Sequence, residues 1–511
     1  MKKKTTLLLA IIMMLTFFAA CAKTDGGATA GKRTDVNIPL DSIGATMDAH
    51  AWTLRVDYLV LAQKYETLYY FEDDGTIQHR LATSHEVSDD GLTYTFKLRE
   101  GVVFQDGSPF TSKDVLFSFN RCVDNAWKQT NVSMIEMVTA PDDMTVAFTI
   151  KSPSSLFLRY VTEIFITSEK VVTEAGDKYG IQALPSGTGP YTMTKYDVNS
   201  EILMEANAKY WRDPPAIKTI RFVPMNDAST QLIAFEKGEF DFCAIPAADW
   251  ASVEGANKYT TVKAPGLHMS YLGINVGKEG PLQNQKVRQA IAYACDKVSM
   301  VAIAADGFAD VAEHLMRVGF IDGAQDTDFT YDYNVEKAKE LLAEAGYADG
   351  FHLGRIEAIT AANGRYVKMA QVLQENLAAI GITSDIIQGE TASMLPAWKT
   401  DRNYDIFVSG FTPTFSYYEL KGYVHSKEDL QVQLNLNPDI DTDFIDSRLD
   451  TGLVTLDQAE AFKLYKECEE YLLQVAGYVP IMHVNSLYAW NSNLTATVPV
   501  RLYHIYDWSW K

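Results

Sequence analysis

The residues best placed to do chemistry are five cysteines, nine histidines and a large excess of acids, 66 Asp and Glu against 45 Lys and Arg. Cys21, Cys122, Cys243, Cys295 and Cys468 contain no C-x-x-C pair, so neither a redox dithiol nor a zinc cluster is proposed by their spacing. The histidines are scattered, without the H-x-x-x-H or H-x-x-E-H spacing that places two ligands on one helix face. No serine stands in a G-x-S-x-G elbow, and no cysteine has a recognisable protease context. Acids this numerous can always be paired on paper, which is no sign of a glycosidase dyad. Gly26, Gly31 and Lys32 have the spacing of a phosphate-binding loop, but Arg33 stands where Ser or Thr must follow and no strand precedes them. The expectation is a protein without catalytic residues, resident metal or cofactor.

The elements around these residues read as mixed α/β. From Leu92, apolar Leu92, Tyr94, Phe96 and Leu98 alternate with Thr93, Thr95, Lys97 and Arg99, a half-buried strand. After the turn Gln105 to Pro109, Thr111 and Asp114 form a capping pair for a helix burying Val115, Phe119 and Cys122. Asn334 starts a helix through Val335, Ala338, Leu341, Leu342 and Ala345 that stops at Gly346. Another carries Met369, Val372, Leu373, Asn376 and Ile380, stops at Gly381, and leads directly into a strand, Ile382 to Ile387. Helical spacing also puts Cys295, with Val287, Ala290, Ile291, Ala294 and Val298, on a core face. Cys468 sits likewise with Leu464, Tyr465, Tyr471, Leu472 and Val475, so buried structural thiols are expected.

Length and composition set the frame. The chain has 511 residues, about three domains' worth at roughly 150 each, with 47% hydrophobic and 12% aromatic residues. Disordered and coiled-coil readings are excluded for the bulk of it. A net charge of −21 argues against a nucleic-acid partner. At the N-terminus, Lys2, Lys3 and Lys4 precede an apolar run from Leu7 to Ala20, too short for a comfortable span and shaped like a signal peptide over residues 1–20. Phe18-Ala19-Ala20-Cys21 resembles a bacterial lipobox, with Phe18 in place of the usual aliphatic residue. The resemblance implies a lipidated Cys21 and membrane attachment, followed by a Gly/Ala/Thr-rich tether over residues 21–35. Loss of the three lysines would take the charge to −24 (−21 − 3).

Several segments together resemble one family. Val87 to Val115, including Ser88-Asp89-Asp90-Gly91-Leu92-Thr93-Tyr94 and Gln105-Asp106-Gly107-Ser108-Pro109-Phe110-Thr111, is similar to the signature region of the extracytoplasmic solute-binding proteins of ABC importers, the dipeptide/oligopeptide/nickel-binding family 5. Tyr65-Glu66-Thr67-Leu68, Gly187-Thr188-Gly189-Pro190-Tyr191, Asn207 with Tyr210-Trp211, Val287 to Asp296 and Ala338 to Tyr347 resemble further family elements in family order. The glycines and aromatics of these motifs serve the fold, not the ligand.

The resemblance implies a two-lobed, periplasmic-binding-protein-like α/β fold (class II, large cluster C type) with an extra subdomain in lobe I. Lobe I would take residues 36–268 and 484–511, with the subdomain at about 76–185, and lobe II residues 269–483. The hinge crossings would lie near Ala264 to Val276 and Tyr478 to Trp490. It also implies a monomer that carries a solute, by default a peptide, to membrane permease subunits powered by a separate ATPase. A metal chelate, a glycan or an opine-like solute is the alternative cargo; a secreted lipoprotein hydrolase would need catalytic residues that the sequence does not offer.

Peptide-binding relatives place an Asp after a "YD" strand to pair with the peptide ammonium. Tyr404 to Gly410 resembles that strand, but Phe411-Thr412-Pro413-Thr414-Phe415-Ser416-Tyr417-Tyr418-Glu419 follows without the Asp. Phe411, Phe415, Tyr417 and Tyr418 are candidates to stack on a ligand, or else are lobe II packing, and Thr412 is a candidate polar contact. Arg365 is a candidate carboxylate clamp, or else a solvated helix-start arginine. His268 and Tyr271, near the expected hinge, face the cleft or serve the hinge.

Overall fold

The computed structural model describes residues 32–72, 76–428, 434–498 and 504–511. The signal peptide, Cys21 and most of the tether lie outside them. The tether was expected to run to Asp35, yet Arg33 is already pinned: its guanidinium bonds Asp241 at 2.6 and 2.8 Å and lies 4.4 Å over the Trp510 ring.

Lobe II is built on a six-stranded sheet in the order Ala309–Val311, Tyr478–Val484, Met269–Ile274, Ile406–Phe411, Phe351–Ile359, Ile382–Gly389. All six residues of Met269–Ile274 are buried. Such a strand shows no polar alternation because both faces of the sheet are covered. Pro480 sits within the neighbouring strand, and the register slips at Ser270/Tyr271 beside it, a bulge that tolerates a residue with no N–H to donate. Ile406–Phe411, Phe351–Ile359 and Ile382–Gly389 run parallel, and the helix Arg365–Ala379 crosses over between the last two.

Lobe I holds three further sheets of three or four strands, besides two of only two strands. One is four-stranded, in the order Asp35–Leu40, Thr219–Pro224, Glu201–Ala206, Tyr191–Asp197. A second is three-stranded, Phe242–Ala244, Ser486–Asn491, Tyr259–Ala264. The third, Ala82–Val87, Thr93–Leu98, Thr145–Ile150, Ile135–Asp142, is antiparallel and has a core of its own, covered by the helix Ser112–Asp124. That helix carries the expected capping box between Thr111 and Asp114. Asn334 caps Val335–Glu344 by accepting from the Lys337 N–H, and Gly346 and Gly381 end their helices with φ of 87°.

One helix departs from expectation. Gln285–Ala294 stops at Cys295 because Asp296 caps a new helix, Lys297–Ala304, by accepting from the Ser299 N–H. Cys295 is buried, but Val298 falls on the second helix and is 70% exposed, not on a core face. Cys122, Cys243, Cys295 and Cys468 are free and buried, and burial pushes the first three thiols up to about 12.

The chain passes between the lobes twice, side by side. Tyr259–Ala264 belongs to the three-stranded sheet and Met269–Ile274 to the six-stranded one, with four residues between; on the return, Asn485 alone separates Tyr478–Val484 from Ser486–Asn491. The Val484 N–H donates to the His268 carbonyl at 2.9 Å. A β-carbon on Gly266 would overlap the Val484 carbonyl, so the approach of the two crossings requires glycine there. Away from the crossings, the lobes also touch where Arg159 forks onto Asp322 at 2.7 and 2.8 Å and the Ser155 N–H donates to the Leu453 carbonyl.

Candidate ligand-binding site

A cavity of about 610 Å³ opens against the two crossings, a size suited to a small solute. Gly266, Leu267 and His268 contribute one wall, Val484, Asn485 and Ser486 the next. The remaining wall belongs to lobe II: Ala362 and Arg365 after the strand Phe351–Ile359, and Thr412 to Phe415 after Ile406–Phe411. Both of those loops leave the carboxyl ends of parallel strands, where open α/β sheets place their ligand crevices.

Arg365 is the first residue of its helix, reached through Ala362 and Gly364 with φ of 56° and 74°. Gly364 supplies no side-chain cap. A cation at a helix N-terminus opposes the helix dipole, so its position is not explained by helix stability. Among the described residues no carboxylate pairs with it. Burial holds its guanidinium below the ordinary value, and an arginine remains charged all the same.

His268 spans from the crossing to lobe II. Its Nδ1 lies 2.9 Å from the Thr412 hydroxyl and its Nε2 2.9 Å from the Tyr366 hydroxyl. Burial, and secondarily the Arg365 charge, push it down to about 4, so it is neutral at pH 7 and one ring nitrogen donates while the other accepts. A β-carbon on Gly410 would meet both His268 and the Tyr366 hydroxyl. The 412–415 loop is knitted from behind by Glu419. Its Oε1 accepts from the Phe415 and Ser416 N–H groups and the Thr414 hydroxyl at 2.6, 3.1 and 2.9 Å, and its Oε2 accepts from the Thr414 N–H at 2.8 Å.

Of the residues singled out from sequence, His268, Arg365, Thr412 and Phe415 line this cavity. The others lie elsewhere. Tyr271 and Phe411 are buried on one face of the six-stranded sheet with ring centroids 5.8 Å apart, within the lobe II core. Tyr417 is buried, stacked on Tyr465, with its hydroxyl donating to Glu469 at 2.7 Å. The Tyr418 hydroxyl accepts from Lys421 at 2.9 Å. Thr414, Asn485 and Ser486 were not singled out; the break Asn485-Ser486 between two apolar β runs was the available signal.

Glu66, in the motif Tyr65 to Leu68, is saturated by Thr188, Tyr210 and Trp211 at 3.0, 3.1 and 2.8 Å and ties the lobe I motifs to one another. Among the described residues no group of three or more His, Cys, Asp or Glu could hold a metal, and no helix is long and apolar enough to cross a membrane.

The family model described as "Bacterial extracellular solute-binding proteins, family 5 Middle" matches residues 76–424. The chain belongs to this family. Its members are extracytoplasmic solute-binding proteins of ABC importers, and the two-lobed fold is the family's own. Among curated relatives, the glutathione-binding protein GsiB of Pectobacterium atrosepticum is 29% identical over 465 residues, 87% of this chain and 88% of that one. Among solved structures, HbpA2 from Haemophilus parasuis shares the fold, with a TM-score of 0.83 at 24% identity, covering 93% of this chain and 100% of that one. DppA from Helicobacter pylori, solved with the peptide STSA, has a TM-score of 0.72 at 25% identity, covering 94% and 98%. The relatives found are binding proteins, not enzymes.

Proposed function

We propose that this family 5 protein captures a carboxylate-bearing solute of peptide size between its lobes and delivers it, unchanged, to the permease of an ABC importer. The observation that carries the reading is Arg365: a part-buried guanidinium with no carboxylate partner among the described residues, facing a cavity that the crossings and lobe II enclose together. A carboxylate there gains a charge-assisted, geometrically forked contact. Peptide binding in DppA and glutathione binding in GsiB support a peptide or peptide-like cargo.

Ligand contacts from both walls favour the closed arrangement over an open one. The lobe boundaries proposed are 36–268 with 484–511, including a subdomain at about 76–185, and 269–483. Lipidation of Cys21 would hold the monomer at the membrane. His268, Thr412 and Phe415 are proposed as further contacts. Tyr271, Phe411, Tyr417 and Tyr418 act behind them as packing.

Mass spectrometry of solute released from freshly purified protein, followed by calorimetric titration, tests the reading. A small solute of peptide size with a free carboxylate should bind, and Arg365→Gln should weaken it on the order of 10-fold or more. Equal affinity in Arg365→Gln removes Arg365 from the site.

A further inference from the structure

The charges around the cavity are all of one availability. Among its described lining residues the only ionised side chain is Arg365, and none is acidic. Among the described residues three acidic residues bond to the lining from outside, and the carboxylate of each is already committed. Glu419 accepts four hydrogen bonds from the loop it supports. Asp322, whose N–H donates to the Phe415 carbonyl, is forked by Arg159. Asp310 pairs with Arg317, which also donates to the Gly266 carbonyl, and takes a contact from Asn485.

From this inventory we infer that the cargo is an anionic carboxylate held without any ammonium anchor: its amine is absent, acylated or otherwise substituted. A buried ammonium needs a paired carboxylate, and no lining group supplies one. A carboxylate meets the opposite circumstances, a cation that no carboxylate among the described residues pairs with and the lining Ser486 hydroxyl. Phe415, Pro413 and Leu267 offer apolar surface to an acyl or other uncharged substituent at the amine end. The inference rests on the proposed reading of this cavity as the solute site and narrows its chemical class.

The test uses four forms of one peptide on the full folded chain: trialanine with free ends, N-acetylated, C-amidated, and blocked at both ends, each titrated calorimetrically. N-acetylation should leave affinity within about 3-fold or improve it, whereas amidation should weaken binding on the order of 10- to 100-fold. Glu419→Gln should change the free and acetylated forms by the same factor, because Glu419 serves the loop and not the ligand; the ratio is informative even if the loop loosens. Free trialanine binding at least 10-fold tighter than its acetylated form overturns the inference while leaving solute capture intact. Selective loss of free-peptide binding in Glu419→Gln does the same by identifying an ammonium anchor. Failure of all four forms to bind overturns both readings.

Discussion

Replacing Glu469 by glutamine should remove a pH dependence of about 3 kcal/mol from the stability of lobe II. Glu469 lies on the helix Gln458–Val475 and is 1% exposed. One carboxylate oxygen accepts from the Leu315 N–H and the other from the Tyr417 hydroxyl, each at 2.7 Å. No cation among the described residues faces it. Burial therefore dominates and pushes its pKa from the ordinary 4.5 up to about 7. Between those values the folded protein keeps a proton that the unfolded chain has released, so stability falls as pH rises through the window and levels off above about 7. By linkage, a displacement from 4.5 to about 7 amounts to about 3 kcal/mol of stability. Glutamine reproduces the protonated acid, its carbonyl accepting from Leu315 and its amide donating to the Tyr417 oxygen. Buried histidines titrate with the opposite sign, so the quantity to measure is the difference between wild type and Glu469→Gln in urea midpoint, from pH 5 to 8. The variant should gain on the wild type from pH 5 to about 7 and run parallel to it above that. Parallel curves would mean that Glu469 is ionised inside the fold, and the argument from burial would be wrong. The outcome bears on the site, because Leu315 and Tyr417 flank Asp322 and Phe415, the two loops joined at the cavity edge.

Three further perturbations have defined outcomes. His268, pushed down to about 4, binds no proton in the fold where the unfolded chain does, so its stabilisation is lost as pH falls from about 6.5 towards 4; His268→Gln, which keeps an amide for Thr412 and Tyr366, should flatten that acid limb in the same urea titration. Arg159→Met should open the lobes, since it strands Asp322; with that aspartate 24% exposed the expected bias is about 1–2 kcal/mol, read as a larger radius of gyration in X-ray scattering and roughly 10-fold weaker solute binding. Gly266→Ala should cost about 1–3 kcal/mol by driving the crossings apart, seen as a lower urea midpoint, and an unchanged midpoint would show that the crossings are not tightly apposed.

The elements were legible in the sequence where local chemistry decides them. Thr111 with Asp114, Asn334, Gly346 and Gly381 mark helix ends by capping and by φ, and the structure uses each of them. Asp296 has the same capping chemistry, but its message competes with the apolar periodicity on either side, so Val298 was assigned to a core it does not enter. The site was less legible because it depends on which face a side chain takes. Met269–Ile274 is buried throughout, and a strand without alternation gives no sign that Tyr271 faces the core. Tyr417 is turned inward by Glu469, 52 residues away, a pairing that no local spacing encodes. Arg365 and Thr412 stand at the first positions beyond a glycine turn and a strand end, where the chain must leave the core; for those residues position alone carried the information.

On the proposed reading, the placement of the cavity would let two lobes that open and close hold a solute in fixed geometry. Rotation between the lobes has to be absorbed where the chain crosses, and the second crossing has a single residue, Asn485, outside its strands. Gly266 on the first crossing fits against Val484 on the second, so the two strands share one pivot. Leu267, His268, Asn485 and Ser486 all lie at that pivot and line the cavity. Near an axis displacements are small, so these contacts survive opening, whereas contacts farther out break. Arg159 and Asp322 are of the second kind: they belong to different lobes, and Asp322 meets the cavity only through the Phe415 backbone. Recognition can therefore be preformed at the pivot and in the lobe II loops, while the energy of closing is contributed by groups that never touch the solute. On this division of labour, changing Arg365 should alter which solute is chosen, and changing Arg159 should weaken every solute by the same factor.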